Sequence, residues 1–89
     1  MSYANRDETV EQAAFGEGFE QLNAALQTAA QPYRDIFAAM LTGKRLNEAC
    51  RLHKQPIQKA MRIFKELKLP LRVHDLRLIY WHRKIAHAS

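Results

Sequence analysis

Residues 41 to 67, LTGKRLNEACRLHKQPIQKAMRIFKEL, gather the side chains of this chain best suited to holding a polyanion. A glutamine amide bonds the edge of adenine at two points, and an arginine guanidinium does the same for guanine. Gln55, Gln58, Lys59 and Arg62 are therefore the candidate base contacts. Lys44, Arg45, Arg51, Lys54 and Lys65 are candidate phosphate contacts, which hold a duplex in place without reading its sequence. Other chemistry has less to work with. There is no glycine-rich phosphate loop, Ser-His-Asp set or pair of carboxylates, so no catalytic residue is assigned. Cys50 and His53 lie three apart, but two ligands fall short of a zinc site, and His74, His82 and His87 show no matching spacing. No metal and no cofactor are expected.

The charge pattern points the same way. Residues 1 to 43 carry two basic and six acidic side chains, a net of −4, whereas residues 44 to 89 carry twelve basic and three acidic ones, a net of +9. A half-molecule that basic sets up a potential attractive to nucleic acid, and double-stranded DNA is the expected partner. The single cysteine leaves no disulfide framework and fits a reducing compartment. No apolar run approaches the roughly 18 residues a membrane span needs, and no signal-peptide pattern opens the chain. The expected location is cytoplasmic and nucleoid-associated.

These side chains need elements to place them. Eighty-nine residues make one domain with a modest core. Residues 1 to 8 read as a disordered terminus and residues 9 to 89 as a single helical domain. From about Thr9, the apolar residues Phe15, Phe19, Leu22, Leu26 and Ala29 recur every three or four positions along one helix face. Gly16 and Gly18 weaken that helix and predict a bend or a late start near residue 17. Pro32 opens a helix reaching about Leu41 that buries Tyr33, Ile36, Phe37 and Met40, and Gly43 stops it.

A short helix from about Arg45 to Leu52 turns Leu46, Ala49 and Cys50 inward. Pro56 starts the next, to about Leu67, with Ile57, Ala60, Met61, Phe64 and Leu67 on a packing face. Gln55, Gln58, Lys59, Arg62 and Glu66 form its polar face. Arg72 and Val73 read as briefly extended. A last helix, from about Asp75 to Ala86, carries Leu76, Ile79, Tyr80 and Trp81. The fold class expected is all-α, a compact bundle of about five short helices.

The two helices over about 45–67, joined by a tight turn, describe a helix-turn-helix, with His53 or Lys54 taking the left-handed turn position that glycine usually fills. The segment from Gln31 to Leu67 resembles the helix-turn-helix unit of small bacterial regulators. Gln31-Pro32, Gly43 and Ala49 resemble Fis-like nucleoid proteins, and the length and basicity resemble plasmid repressors of the KorA type. The resemblance implies a DNA-binding transcriptional regulator or repressor of bacterial, plasmid or phage origin, acting as a homodimer. Phe15, Phe19, Leu22, Leu26, Tyr80 and Trp81 are the dimer contacts to be expected.

A second resemblance involves other residues. LTGKRLNEACRL is similar to the first conserved box of tyrosine recombinases, and LPLRVHDLRLIYW to the second. It implies that Arg45, His74 and Arg77 surround a phosphate. Only 28 residues separate Arg45 from His74, and Tyr80 is too near Arg77 to be the nucleophile, so the implied protein is an inactive derivative that binds DNA. Two further readings are a protein-interaction module that inhibits or adapts a larger enzyme through its apolar stripes, and an RNA-binding protein.

Overall fold

A computed structural model describes the backbone of residues 3 to 88 and the side chains of residues 8 to 87. Within the described residues six α-helices follow one another: α1 (Tyr3–Ala14), α2 (Gly16–Gln27), α3 (Tyr33–Met40), α4 (Leu46–Leu52), α5 (Ile57–Glu66) and α6 (Asp75–Ala88). The described residues contain no strand, and residues 70 to 74 form bends and turns where a short extended stretch was expected. Helix α1 begins at Tyr3, ahead of the start expected near Thr9, while Met1 and Ser2 of the expected disordered terminus lie outside the described residues.

The sixth helix arises because the expected first one is broken at Phe15. Phe15 is extended, with φ −137° and ψ 155°. Gly16 then takes φ +59°, and α2 starts in a new direction, packing against α1. Gly18 allows that close packing, since a Cβ there would collide with the Gln12 carbonyl of α1. The break also takes Phe15 out of the apolar stripe and leaves it 40% exposed.

Six helices share one core. Val10 and Ala14 enter it from α1, Leu22 and Leu26 from α2, and Ile36, Phe37 and Met40 from α3. Leu46, Ala49 and Cys50 of α4, Ala60 and Phe64 of α5, and Leu76 and Ile79 of α6 complete it. Phe37 meets Phe64 edge to face, with ring centres 5.4 Å apart, and this contact helps to seat α5 on α3. Helix α6 packs on α1 and α3. The radius of gyration, 12.7 Å, lies close to the roughly 12 Å of a compact chain of this length.

Arg83 staples the acidic half of the chain to the basic half. Its Nη1 donates to the Ala14 carbonyl at 2.7 Å, capping the end of α1. Its guanidinium carbon also sits 3.8 Å from the centre of the Phe19 ring, within cation–π range. At the start of α6, Asp75 is completely buried, and its Oδ2 accepts the Arg72 N–H at 2.8 Å. The Asp75 N–H in turn donates to the Arg72 carbonyl at 2.9 Å, and the pair of bonds closes the turn that leads into the helix.

Candidate nucleic-acid interface and adjoining cleft

Helix α5 owes its position to the turn before it. Residues 53 to 56 connect α4 to α5, and Lys54 takes the left-handed conformation at φ +55°. The Lys54 N–H donates to the Arg51 carbonyl at 3.1 Å and the Gln55 N–H to the Cys50 carbonyl at 2.9 Å. These two bonds close the end of α4 in a Schellman motif. The Tyr33 hydroxyl donates to Gln55 Oε1 at 2.7 Å, which ties the turn to α3.

Gln55 therefore belongs to the scaffold. It is half-buried and its amide oxygen is occupied by Tyr33, so its expected place among the base contacts is corrected. Lys59 also leans inward, with Nζ 5.8 Å from the centre of the Tyr33 ring, although it remains exposed. Gln58, Arg62 and Lys65 stand exposed at spacings of four and three, one line along the outer side of α5. Lys65, expected at a phosphate, lies on that line, and Lys59, expected at a base edge, lies to one side of it.

The packing face of α5 is rotated from the expected one by roughly 45°, at 3.6 residues per turn. Ala60 and Phe64 are buried and Ile63 and Leu67 half-buried, while Ile57 and Met61 are 38% and 43% exposed. Lys44, Arg45, Arg51 and Lys54, expected at phosphates, are all exposed. Arg45 leads into α4, and Arg51 and Lys54 sit at its far end.

The expected dimer contacts divide. Leu22 and Leu26 are 3% and 2% exposed, committed to the core of their own chain, and so cannot reach a second copy. Phe19 is half-buried beneath Arg83, and Tyr80 is half-buried over Gly43. Phe15 and Trp81 are open, the latter 38% exposed. Trp81 lies on the outward side of α6 with Leu78 and Ile85, which are 47% and 67% exposed. Lys84 Nζ and Arg77 Cζ approach the Trp81 ring centre at 5.2 and 5.9 Å.

Arg45, His74 and Arg77 come together across the fold. They line one open cleft of about 410 Å³ with Met40, Leu46, Asn47, Ile57 and Leu78. Arg77 Nε donates to the Gly43 carbonyl at 3.0 Å, which anchors the side chain and leaves its two terminal amino groups as donors. A second hollow, of about 430 Å³, includes Met61, Lys65, Arg72 and His74, so the two adjoin at His74. Periodicity and charge in the sequence single out neither Asn47 nor Leu78. The recombinase-like boxes alone marked His74 and Arg77 as a set.

Cys50 is 1% exposed, and burial pushes its thiol pKa above the ordinary value, so little thiolate forms near neutral pH. Among the described residues no group of three or more His, Cys, Asp or Glu side chains is placed to hold a metal ion. No described helix is long and apolar enough to cross a membrane. No family model, no curated protein and no solved structure matches the chain.

Proposed function

We propose that this chain is a DNA-binding regulator that uses α4, the turn at 53 to 56 and α5 as a helix-turn-helix, with α5 laid in the major groove. The observation that carries this reading is the outward line Gln58, Arg62 and Lys65 on a helix whose other side is anchored in the core. The line belongs to a half-chain of net charge +9, which supplies the long-range attraction. Gln58 and Arg62 read base edges, and Lys65, Arg51, Lys54 and Lys44 hold phosphates. The regulator works as a homodimer on two half-sites, joined through the outward side of α6 at Trp81 and Ile85, and acts sterically by covering a promoter or replication site in the nucleoid.

Fluorescence anisotropy on a mixed-sequence duplex across a salt series tests the reading. Wild type is expected to bind with an affinity that falls steeply with salt, by a slope of about −0.9 for each phosphate neutralised. Arg62→Ala/Lys65→Ala should flatten the slope by about 1 unit, through Lys65, and weaken binding at every salt concentration. Lys59→Ala should change both much less, because Lys59 lies beside Tyr33. Absence of binding at low salt, or equal losses in the two variants, would remove α5 from the interface.

A further inference from the structure

The cleft between α4, α5 and α6 has a composition that duplex binding by α5 does not use. Its cationic and polar rim draws on separate parts of the chain: Arg45 and Asn47 at the start of α4, and His74 and Arg77 at the start of α6. Its apolar wall is Met40, Leu46, Ile57 and Leu78. Met40 and Leu46 are almost completely buried, so they form the floor, while Ile57 and Leu78 are partly open at the sides. The geometry points to a binding site for a small organic anion, a carboxylate or phosphate carried on a compact apolar frame.

Both halves of that description are needed. Arg77 is held in place by its bond to the Gly43 carbonyl and keeps its forked terminal amino groups, the geometry that grips an oxyanion at two points. Arg45, from the α4 side, and His74, beside Arg77 at the start of α6, are exposed and add donors to the rim. A bare inorganic ion would leave the apolar wall in contact with water and gain nothing from it. A backbone phosphate would likewise need only the rim. The volume, about 410 Å³, lies within the range of roughly 300–1,000 Å³ typical of small-molecule sites. Because Ile57 is the first residue of α5, a bound anion touches the same rigid helix that carries Gln58 and Arg62. Its role as an effector rests on the DNA reading, whereas its binding can be tested without DNA.

The experiment is a titration of the full chain followed by amide proton–nitrogen correlation spectra, with phenyl phosphate as the probe and inorganic phosphate and phenol as its separated halves. Phenyl phosphate should give saturable shifts at Arg45, Asn47, Ile57, His74 and Leu78, and should bind about tenfold more tightly than either half, a difference of about 1.4 kcal/mol. Arg45→Ala/His74→Ala should weaken it by a similar factor while the dispersed spectrum shows the fold intact. Leu78→Ser, which leaves the rim unchanged, should weaken phenyl phosphate without affecting inorganic phosphate. Three results would each overturn the assignment: shifts spread along residues 58 to 65, equal binding of inorganic and phenyl phosphate, or displacement of the probe from the cleft by a short DNA duplex. The last would give the cleft to the DNA backbone. A loss of duplex binding in the α5 variants with the cleft titration unchanged would bear on α5 alone.

Discussion

Helices α3 and α4 end in the same hydrogen-bonded pattern built on opposite residues. At the end of α3 the Gly43 N–H bonds the Met40 carbonyl at 3.0 Å and the Lys44 N–H bonds the Ala39 carbonyl at 3.2 Å. At the end of α4, Lys54 and Gln55 make the matching bonds to Arg51 and Cys50. The left-handed position is filled by glycine in one case, at φ +104°, and by lysine in the other, at φ +55°. The two backbones differ accordingly: +55° lies in the left-handed region that a lysine reaches at some cost, whereas +104° lies beyond it and favours glycine. Gly43 also lies under an aromatic ring, since a Cβ there would stand 2.8 Å from Tyr80 Cε2. Lys54 is exposed and bears a left-handed strain of about 1–2 kcal/mol. The Tyr33–Gln55 bond helps to hold the turn in place.

The largest expected effect is at Gly43. Gly43→Ala combines a backbone conformation unfavourable to alanine with displacement of Tyr80, and should destabilise the fold by about 1–3 kcal/mol. Urea denaturation with an unchanged m-value reads this directly. A loss below about 0.5 kcal/mol would mean that the α3 end yields as easily as an ordinary surface site. Next comes Tyr33→Phe, which removes the donor to Gln55 and should cost about 1 kcal/mol. Hydrogen exchange at the Gln55 amide should quicken in the same variant, and unaltered exchange would show that the tether does not hold the turn. The smallest effect has the opposite sign. Lys54→Gly relieves left-handed strain and loses part of that gain to the freer unfolded chain, for a net stabilisation of roughly 0.5 kcal/mol. A destabilised Lys54→Gly would show that the lysine side chain contributes contacts that outweigh the strain.

A similar contrast separates α3 from α5 in how much of each could be read from sequence. The residues expected to be buried on α3, namely Tyr33, Ile36, Phe37 and Met40, are all buried. That helix is covered by neighbours on several sides, so every large apolar residue in its stripe finds a partner. Helix α5 packs along one narrower line, and two of the five expected packing residues, Ile57 and Met61, remain exposed. The candidate interface inherits the same shift. Arg62 and Gln58 were legible because they stand well clear of any apolar stripe. Gln55 was misread because a glutamine before a helix looks the same in sequence whether it faces a groove or a tyrosine twenty-two positions away.

The amino-acid sequence by itself determined the all-helical character, the stop at Gly43, the left-handed turn after α4 and the division into an acidic and a basic half. Each follows from local physics: side-chain periodicity, the φ preference of a residue and summed formal charge. Tertiary structure alone decided which edge of each stripe is covered. It placed Leu22 and Leu26 in the core, left Leu78, Trp81 and Ile85 in the open, and brought Arg45, His74 and Arg77 to one cleft. A helical period specifies angles about its own axis, whereas burial depends on which neighbouring helix lies at which angle. That information resides in contacts between distant segments and in no single stretch of the chain.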